Sequence, residues 1–102
     1  MSLEDFYSYN LETKSEQSIS DDFNMMVPFY LMSAYAYYVE DNPIFSDVYF
    51  DNLSRRIKEK WDEIDHFHKD LITMEDLNAG TYLGEYPPRV IGGLRSFRKC
   101  SS

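Results

Sequence analysis

The sequence predicts a mostly α protein, a helical hairpin or small helical bundle with irregular N- and C-terminal segments. Hydrophobic residues make up 43% of the 102 residues and aromatic residues 17%, which is typical of a folded globule. A chain of this length forms one domain with a single modest core. We therefore expect one domain over residues 1–102, with an arm over 1–20, a helical core over 21–80 and an irregular basic segment over 81–102.

The first predicted helix runs from about Asp22 to Glu40, with Ser20 or Asp21 as its cap. Its apolar positions are nearly continuous, and Pro28 must lie near a first turn or mark a kink, because proline lacks the backbone N–H donor. A helix that is apolar on most sides is either the centre of a bundle or covered by a partner chain. We expect at least a dimer; in a monomer, the two terminal segments would have to cover this helix.

The second predicted helix follows the turn at residues 40–43 and runs from Asp47 to about Ile64. Ser46 is the expected N-cap, and a negative charge at Asp47 is favoured by the helix dipole. Apolar residues at helical spacing form one stripe along this segment: Phe50, Leu53, Ile57, Trp61 and Ile64. The sequence thus predicts two antiparallel helices joined by a short turn.

The remaining third of the chain has a weaker pattern. Thr73, followed by two acidic residues, predicts a short third helix over about 74–79 that is closed by Gly80. Residues that form turns dominate beyond this point, and one short strand is expected at 81–83.

Charge restricts the classes of partner. The net charge of −8 opposes direct binding to nucleic acid. Residues 1–54 carry ten acidic groups and a single Lys14, whereas residues 89–102 carry four basic groups and no acid. The basic segment either folds back on the acidic body or contacts an anionic partner.

Several features bear on compartment and metal content. No apolar run approaches the roughly 20 residues of a membrane span, and the N-terminus lacks the pattern of a signal peptide. The single cysteine, Cys100, excludes an intramolecular disulfide framework. His66 and His68 lack the distant third ligand that a zinc site needs. We expect a cytoplasmic protein (in the host cytoplasm if a phage encodes it), with no membrane association and no metal site.

One stretch carries a functional signal. Residues 35–53 read YAYYVEDNPIFSDVYFDNL, with aromatic residues on both sides of an Asp-Asn-Pro turn. Asp47 and Asp51 are four residues apart, so they project from one face of the second helix. A flat heteroaromatic cation can stack on tyrosine rings, and carboxylates complement both its charge and ribose hydroxyls. The tyrosines and aspartates of this stretch therefore suit a nucleotide with a positively charged aromatic base.

The same stretch resembles the small N-terminal helical domain of NAD-dependent DNA ligases. That family reads roughly Tyr-x-Tyr-His-Val-x-Asp-x-Pro-x-x-Ser/Pro-Asp-x-x-Tyr-Asp-x-Leu, and residues 35–53 match it without a gap. In those ligases the domain closes over the nicotinamide mononucleotide half of NAD. The resemblance implies a site for NAD or nicotinamide mononucleotide at five positions: Tyr37, Tyr38, Asp47, Phe50 and Asp51.

The sequence departs from the ligase pattern in two site residues and in its catalytic motif. Tyr38 stands where the family has histidine, and Phe50 stands where it has tyrosine. If the missing hydroxyl bonds the ligand, its loss costs on the order of 1 kcal/mol. The Lys-x-Asp-Gly motif that carries the nucleophile is absent. We therefore expect no enzyme activity and only weak nicotinamide nucleotide binding.

Three functions remain open. The first is a stand-alone, non-catalytic module, accessory or regulatory in phage or bacterial DNA metabolism, with a protein of that metabolism as its partner. The second is a structural interaction module that forms a homodimer, whose apolar first helix is buried by its partner. The predicted site residues then have no ligand: Tyr35, Phe50 and Leu53 belong to the core, Asp47 is a helix-start residue, and Asp51 pairs with Arg55. The third is an acidic decoy of a nucleic-acid-binding surface, for which the net charge of −8 is the only support.

Overall fold

The computed structural model describes residues 3–66, 68–79, 82 and 84–99. Within these ranges the chain forms α helices and two short 3-10 helices, the latter at Phe23–Met25 and Lys69–Leu71. The α helices, in chain order, are α1 (Leu3–Asp21), α2 (Met26–Tyr38), α3 (Asp47–Glu59), α4 (Met74–Ala79) and α5 (Pro88–Lys99). The mostly α class and the small helical bundle are confirmed.

Helix α2 forms the centre of the bundle. Nine of its thirteen residues are buried, and at 100° per residue these positions lie on all sides of the helix. Helices α3 and α5 pack against it, and α1 contributes Leu11 and Ile19 to the same core. Pro28 lies in the first turn of α2, as predicted, where no intrahelical donor is lost. The apolar surface that suggested a partner chain is covered by the chain's own helices.

The start of this segment differs from the prediction by one or two residues. Asp22, not Ser20 or Asp21, is the capping residue, and its carboxylate accepts the backbone N–H of Asn24 at 3.1 Å. This cap begins the 3-10 turn Phe23–Met25, and α2 continues directly from it. The helical segment therefore begins where the Asx-type cap satisfies a free N–H group.

The turn after α2 is tightly closed. Helix α2 ends at Tyr38, two residues before the predicted end at Glu40. Asp41 adopts a φ of 51°, a left-handed conformation that aspartate tolerates better than most residues. The N–H of Asn42 donates to the carbonyl of Ala36 at 2.9 Å. The chain then returns so that α3 packs on α2.

Helix α3 begins as predicted and ends earlier. The side chain of Ser46 accepts the N–H of Tyr49 at 3.2 Å, and Asp47 lies in the first turn. The helix ends at Glu59, and turns lead the chain on to Ile64. The predicted apolar stripe is buried or half-buried along its length: Phe50, Leu53, Ile57, Trp61 and Ile64.

Both terminal segments contain helices where irregular structure was expected. The described part of residues 1–20 belongs to α1, which corrects the predicted arm, and residues 88–99 of the segment 81–102 form α5. Pro88 is the first residue of α5, a position where proline is well tolerated. The strand predicted at 81–83 falls outside the described residues apart from Tyr82, which lies in no helix or strand. The predicted closure of α4 at Gly80 also lies outside them.

Polar contacts explain why α1 was missed. The carboxylate of Glu12 accepts the hydroxyl of Ser46 at 2.7 Å, so it reaches the N-cap of α3. Glu16 accepts the Tyr49 hydroxyl at 2.8 Å and forms an ion pair with Arg56. Because these contacts hold α1 to α3 through carboxylates, the sequence of α1 shows no simple apolar period.

None of the helices formed by the described residues is both long enough and apolar enough to cross a bilayer.

The basic C-terminal segment had two open interpretations. Arg98 of α5 donates to the carboxylate of Glu40 at 2.9 Å, with which it forms an ion pair. In the described part of the chain, this segment therefore folds back on the acidic body.

Alkaline pH should destabilise the fold. Burial raises the pKa of the tyrosine hydroxyls of Tyr30, Tyr49 and Tyr86, to about 12 for Tyr86. In the unfolded chain these groups ionise near pH 10, so above that pH the folded state binds more protons than the unfolded state. The stabilisation is fully present below pH 10 and is lost as pH rises. We expect the free energy of unfolding to fall by at most about 1.4 kcal/mol per pH unit for each such tyrosine.

Urea denaturation at a series of pH values, followed by circular dichroism, measures this slope. Tyr30→Phe removes one of the three hydroxyls while keeping the ring, and it should reduce the slope above pH 10. An identical slope in wild type and Tyr30→Phe would contradict the prediction.

Candidate functional site

A cleft of about 260 Å³ opens between the C-terminal half of α2 and the first turns of α3. We name it the acidic cleft. Eight residues line it: Ser33, Tyr37, Tyr38, Pro43, Phe45, Asp47, Phe50 and Asp51. The five residues singled out by the ligase resemblance are all among them. The structure thus brings every predicted site residue to one cavity.

Two tyrosines at the end of α2 form the aromatic wall. Tyr37 and Tyr38 remain 48% and 40% exposed, so both rings are accessible to a ligand. Their ring centroids lie 4.9 Å apart and their planes meet at 82°, in an edge-to-face arrangement. A flat ligand can therefore stack on the face of one ring while meeting the edge of the other.

Phe50 has a structural role that limits its role in the cleft. Its ring stacks on the buried ring of Tyr30, with centroids 5.0 Å apart and an interplanar angle of 12°. The side chain is half-buried and packs against the core. One face of Phe50 is thus committed to the contact between α2 and α3, and only the remainder borders the cavity.

Carboxylates set the electrostatics of the cleft. Asp47 and Asp51 are exposed, and no basic residue lines the cavity among the described residues. Burial raises the pKa of the Tyr38 hydroxyl, and neighbouring groups raise it further: the ionised Tyr37 hydroxyl and the carboxylates of Asp47 and Asp51 disfavour a second negative charge at Tyr38. The negative potential of the two aspartates therefore extends to the part of the cleft that borders Tyr38. Such a cavity favours a cation and repels an anion such as phosphate.

The turn between α2 and α3 is held by a residue that the sequence did not indicate. Arg98 donates to the carbonyl of Asn42 at 2.6 Å as well as to Glu40. This contact fixes the turn that carries Pro43 into the lining of the cleft. Arg98 lies more than fifty positions further along the chain, in a segment predicted to be irregular, so no local pattern could reveal it.

The buried residue Phe45 also lines the cleft, and it too was absent from the predicted site. Its ring lies 6.5 Å from that of Phe29 and 6.1 Å from that of Phe97, and it meets Tyr49 edge to face at 4.7 Å. Phe45 lies within residues 35–53, so its aromatic side chain could have added it to the predicted site. Ser33 also lines the cleft, although its hydroxyl already donates to the carbonyl of Tyr30 at 2.8 Å.

The size of the cleft limits what it can hold. Pockets for drug-sized ligands measure about 300–1,000 Å³, and the acidic cleft is slightly smaller. A nicotinamide ring with part of its ribose matches this scale better than an entire dinucleotide does.

Metal ligands are not clustered in the described part of the chain. No group of three or more His, Cys, Asp or Glu side chains there is arranged to hold a metal ion. His66 and His68 do lie together, with ring centroids 5.2 Å apart. The backbone N–H of His68 donates to Nδ1 of His66 at 3.1 Å, so this ring nitrogen is engaged within the loop.

Comparison with known proteins identifies no relative: no family model matches the chain, nor does any curated protein or solved structure. The resemblance to the ligase domain therefore rests on the sequence of residues 35–53 and stays a prediction.

Removing the two carboxylates should change the titration of Tyr38. The double substitution Asp47→Asn and Asp51→Asn keeps the side-chain shape and removes both negative charges. We expect the pKa of the Tyr38 hydroxyl to move down towards its ordinary value, because two of the groups that raise it are lost. NMR of ring-labelled tyrosine as a function of pH measures this pKa. Asp62→Asn, at an exposed position outside the cleft, is the control; equal pKa values in the two variants would contradict the assignment.

Proposed function

We propose that this chain is a non-catalytic module that binds the nicotinamide end of nicotinamide mononucleotide or NAD in the acidic cleft. One observation carries the proposal: five residues chosen from a sequence pattern all line the same cavity. That cavity combines exposed tyrosine rings with two carboxylates, which is the chemistry that a cationic pyridinium ring requires.

The charges favour one orientation of the ligand. The pyridinium ring stacks on Tyr37 or Tyr38, where the carboxylates of Asp47 and Asp51 complement its positive charge. The same carboxylates can accept hydrogen bonds from ribose hydroxyls. The phosphate points away from the cavity, because two neighbouring carboxylates repel it.

Binding in this mode is weak. Tyr38 replaces the histidine of the ligase pattern, and Phe50 lacks the hydroxyl of its tyrosine. Phe50 is also held against Tyr30, so it offers little free surface to a ligand. We expect a dissociation constant in the high micromolar range or poorer, which corresponds to no more than about −5 to −6 kcal/mol.

A module of this kind acts through its partners. We place it as an accessory or regulatory component of phage or bacterial DNA metabolism, in the cytoplasm of the cell concerned. Transfer of AMP needs a lysine nucleophile, and the Lys-x-Asp-Gly motif is absent from the sequence. The homodimer alternative loses support because α2 is buried within one chain. The decoy alternative still rests on net charge alone.

Titration with nicotinamide mononucleotide, followed by amide chemical shifts, tests the binding proposal. We expect saturable shifts in residues 33–51 for wild type and none for Asp47→Ala, which removes one carboxylate of the cleft. That substitution costs only about 0.3–1 kcal/mol of stability, the value of a charge at a helix start. Asp62→Ala removes the same charge outside the cleft and should bind like wild type. No shift at millimolar ligand would refute the site, and submicromolar binding would refute its predicted weakness.

Incubation with NAD and Mg²⁺ tests the absence of catalysis. We expect the intact mass of the protein to stay unchanged, because no lysine is presented in the required motif. A NAD-dependent DNA ligase treated in parallel should gain the mass of one AMP. The same gain on this chain would overturn the non-catalytic assignment.

A further inference from the structure

A second cleft, of about 390 Å³, lies between the N-terminal half of α2, α5 and the loop that contains His66 and His68. We name it the apolar groove. Its walls are formed mainly by five apolar side chains: Met25, Phe29, Met32, Val90 and Phe97. No described residue lines both this groove and the acidic cleft. Its volume falls within the range of small-molecule pockets.

The ionisable side chains that line this groove are all basic. They are His66, His68 and Arg89, and no acidic residue lines the groove among those that the structure describes. The whole chain, by contrast, has 18 acidic residues against 10 lysines and arginines. The carboxylate of Asp22 raises the pKa of His66 but does not line the groove. Arg89 gives the rim its positive charge at pH 7, and a neutral histidine ring can still donate an N–H to an anion. The rim therefore complements an anion, in contrast to the acidic cleft.

The two histidines also offer donors. Because Nδ1 of His66 accepts the backbone N–H of His68, the neutral His66 ring carries its proton on Nε2. Burial lowers the pKa of both His66 and His68, so both rings are largely neutral at pH 7. An anion bound nearby would favour their charged forms and raise both pKa values. A rise in the pKa values of His66 and His68 is therefore the spectroscopic sign that an anion has bound in the groove.

The walls are adaptable. Met25 and Met32 are unbranched and flexible, so they can follow apolar ligands of different lengths. Gly93 faces Met32 from α5, and a Cβ atom at this position would lie 3.3 Å from the Met32 sulfur. The glycine therefore lets α5 approach the methionine while leaving the groove open beside it.

We propose that the apolar groove binds a small monocarboxylate with a linear apolar body, of the medium-chain fatty acid class. The chain lies between α2 and α5, and the carboxylate lies at the rim formed by Arg89, His66 and His68. Apolar burial supplies the affinity, and the basic rim selects the acid over a neutral molecule of the same shape.

Octanoate is the probe that tests this proposal, with the imidazole resonances of the full chain as the readout. We expect saturable shifts of His66 and His68 and an upward shift of both pKa values when octanoate is bound. Decanoate should bind more tightly, by about fourfold for each added methylene group. Octanol, which has the same chain and no charge, should bind at least about tenfold more weakly.

Two matched pairs of variants locate the site. Arg89→Gln should weaken octanoate binding and leave octanol binding unchanged. Arg95→Gln removes the same charge from an exposed position of α5 outside the groove, and it should leave octanoate binding unchanged. Ser96→Trp fills the mouth of the groove and should abolish binding of both probes, whereas Asp47→Ala in the acidic cleft should affect neither.

Three results would overturn the proposal: no saturable shift with octanoate or decanoate, equal affinity for octanol and octanoate, or equal losses in Arg89→Gln and Arg95→Gln. Because Asp47→Ala separates the two clefts, failure here leaves the nicotinamide proposal intact, and the reverse also holds.

Discussion

A helix that is apolar around its whole circumference has to be covered on every side, and the fold of this protein follows from that constraint. Helix α2 is such a helix, with nine buried residues among thirteen. A hairpin with α3 covers only part of it, so α5 and the apolar residues of α1 complete the core. The described parts of the terminal segments therefore belong to the bundle: α5 packs on α2, and α1 adds Leu11 and Ile19 to the shared core while its carboxylates bind α3.

The two clefts lie along the same helix. The C-terminal half of α2 and the start of α3 form the acidic cleft, and the N-terminal half of α2 with α5 forms the apolar groove. Three phenylalanine rings separate them: Phe29 and Phe97 line the groove, and Phe45 lines the cleft. The ring of Phe97 lies 5.1 Å from that of Phe29 and 6.1 Å from that of Phe45. Packing at this cluster thus contributes to both cavities.

Opposite charge gives the two cavities different preferences. The acidic cleft carries Asp47 and Asp51 beside tyrosine rings, while the groove carries Arg89 and two histidines beside apolar walls. Helix α5 takes part in both, since its Arg98 also holds the turn at Asn42 that borders the acidic cleft. A net charge of −8 for the whole chain conceals this division, because the acidic and basic groups are separated in space.

The sequence by itself determined the features that depend on neighbouring residues. The cap at Ser46 and the apolar stripe of α3 follow from spacings within one helix–turn–helix segment. The five predicted residues of the acidic cleft were indicated by the resemblance of residues 35–53 to the ligase pattern, which lies within the same segment. Tertiary structure alone decided the rest. Helix α1 is attached through Glu12 and Glu16 to partners more than thirty positions away, which leaves no apolar period to read. Arg98 is 58 positions from Glu40, and its choice of partner depends on how α5 packs on α2, which no local spacing encodes.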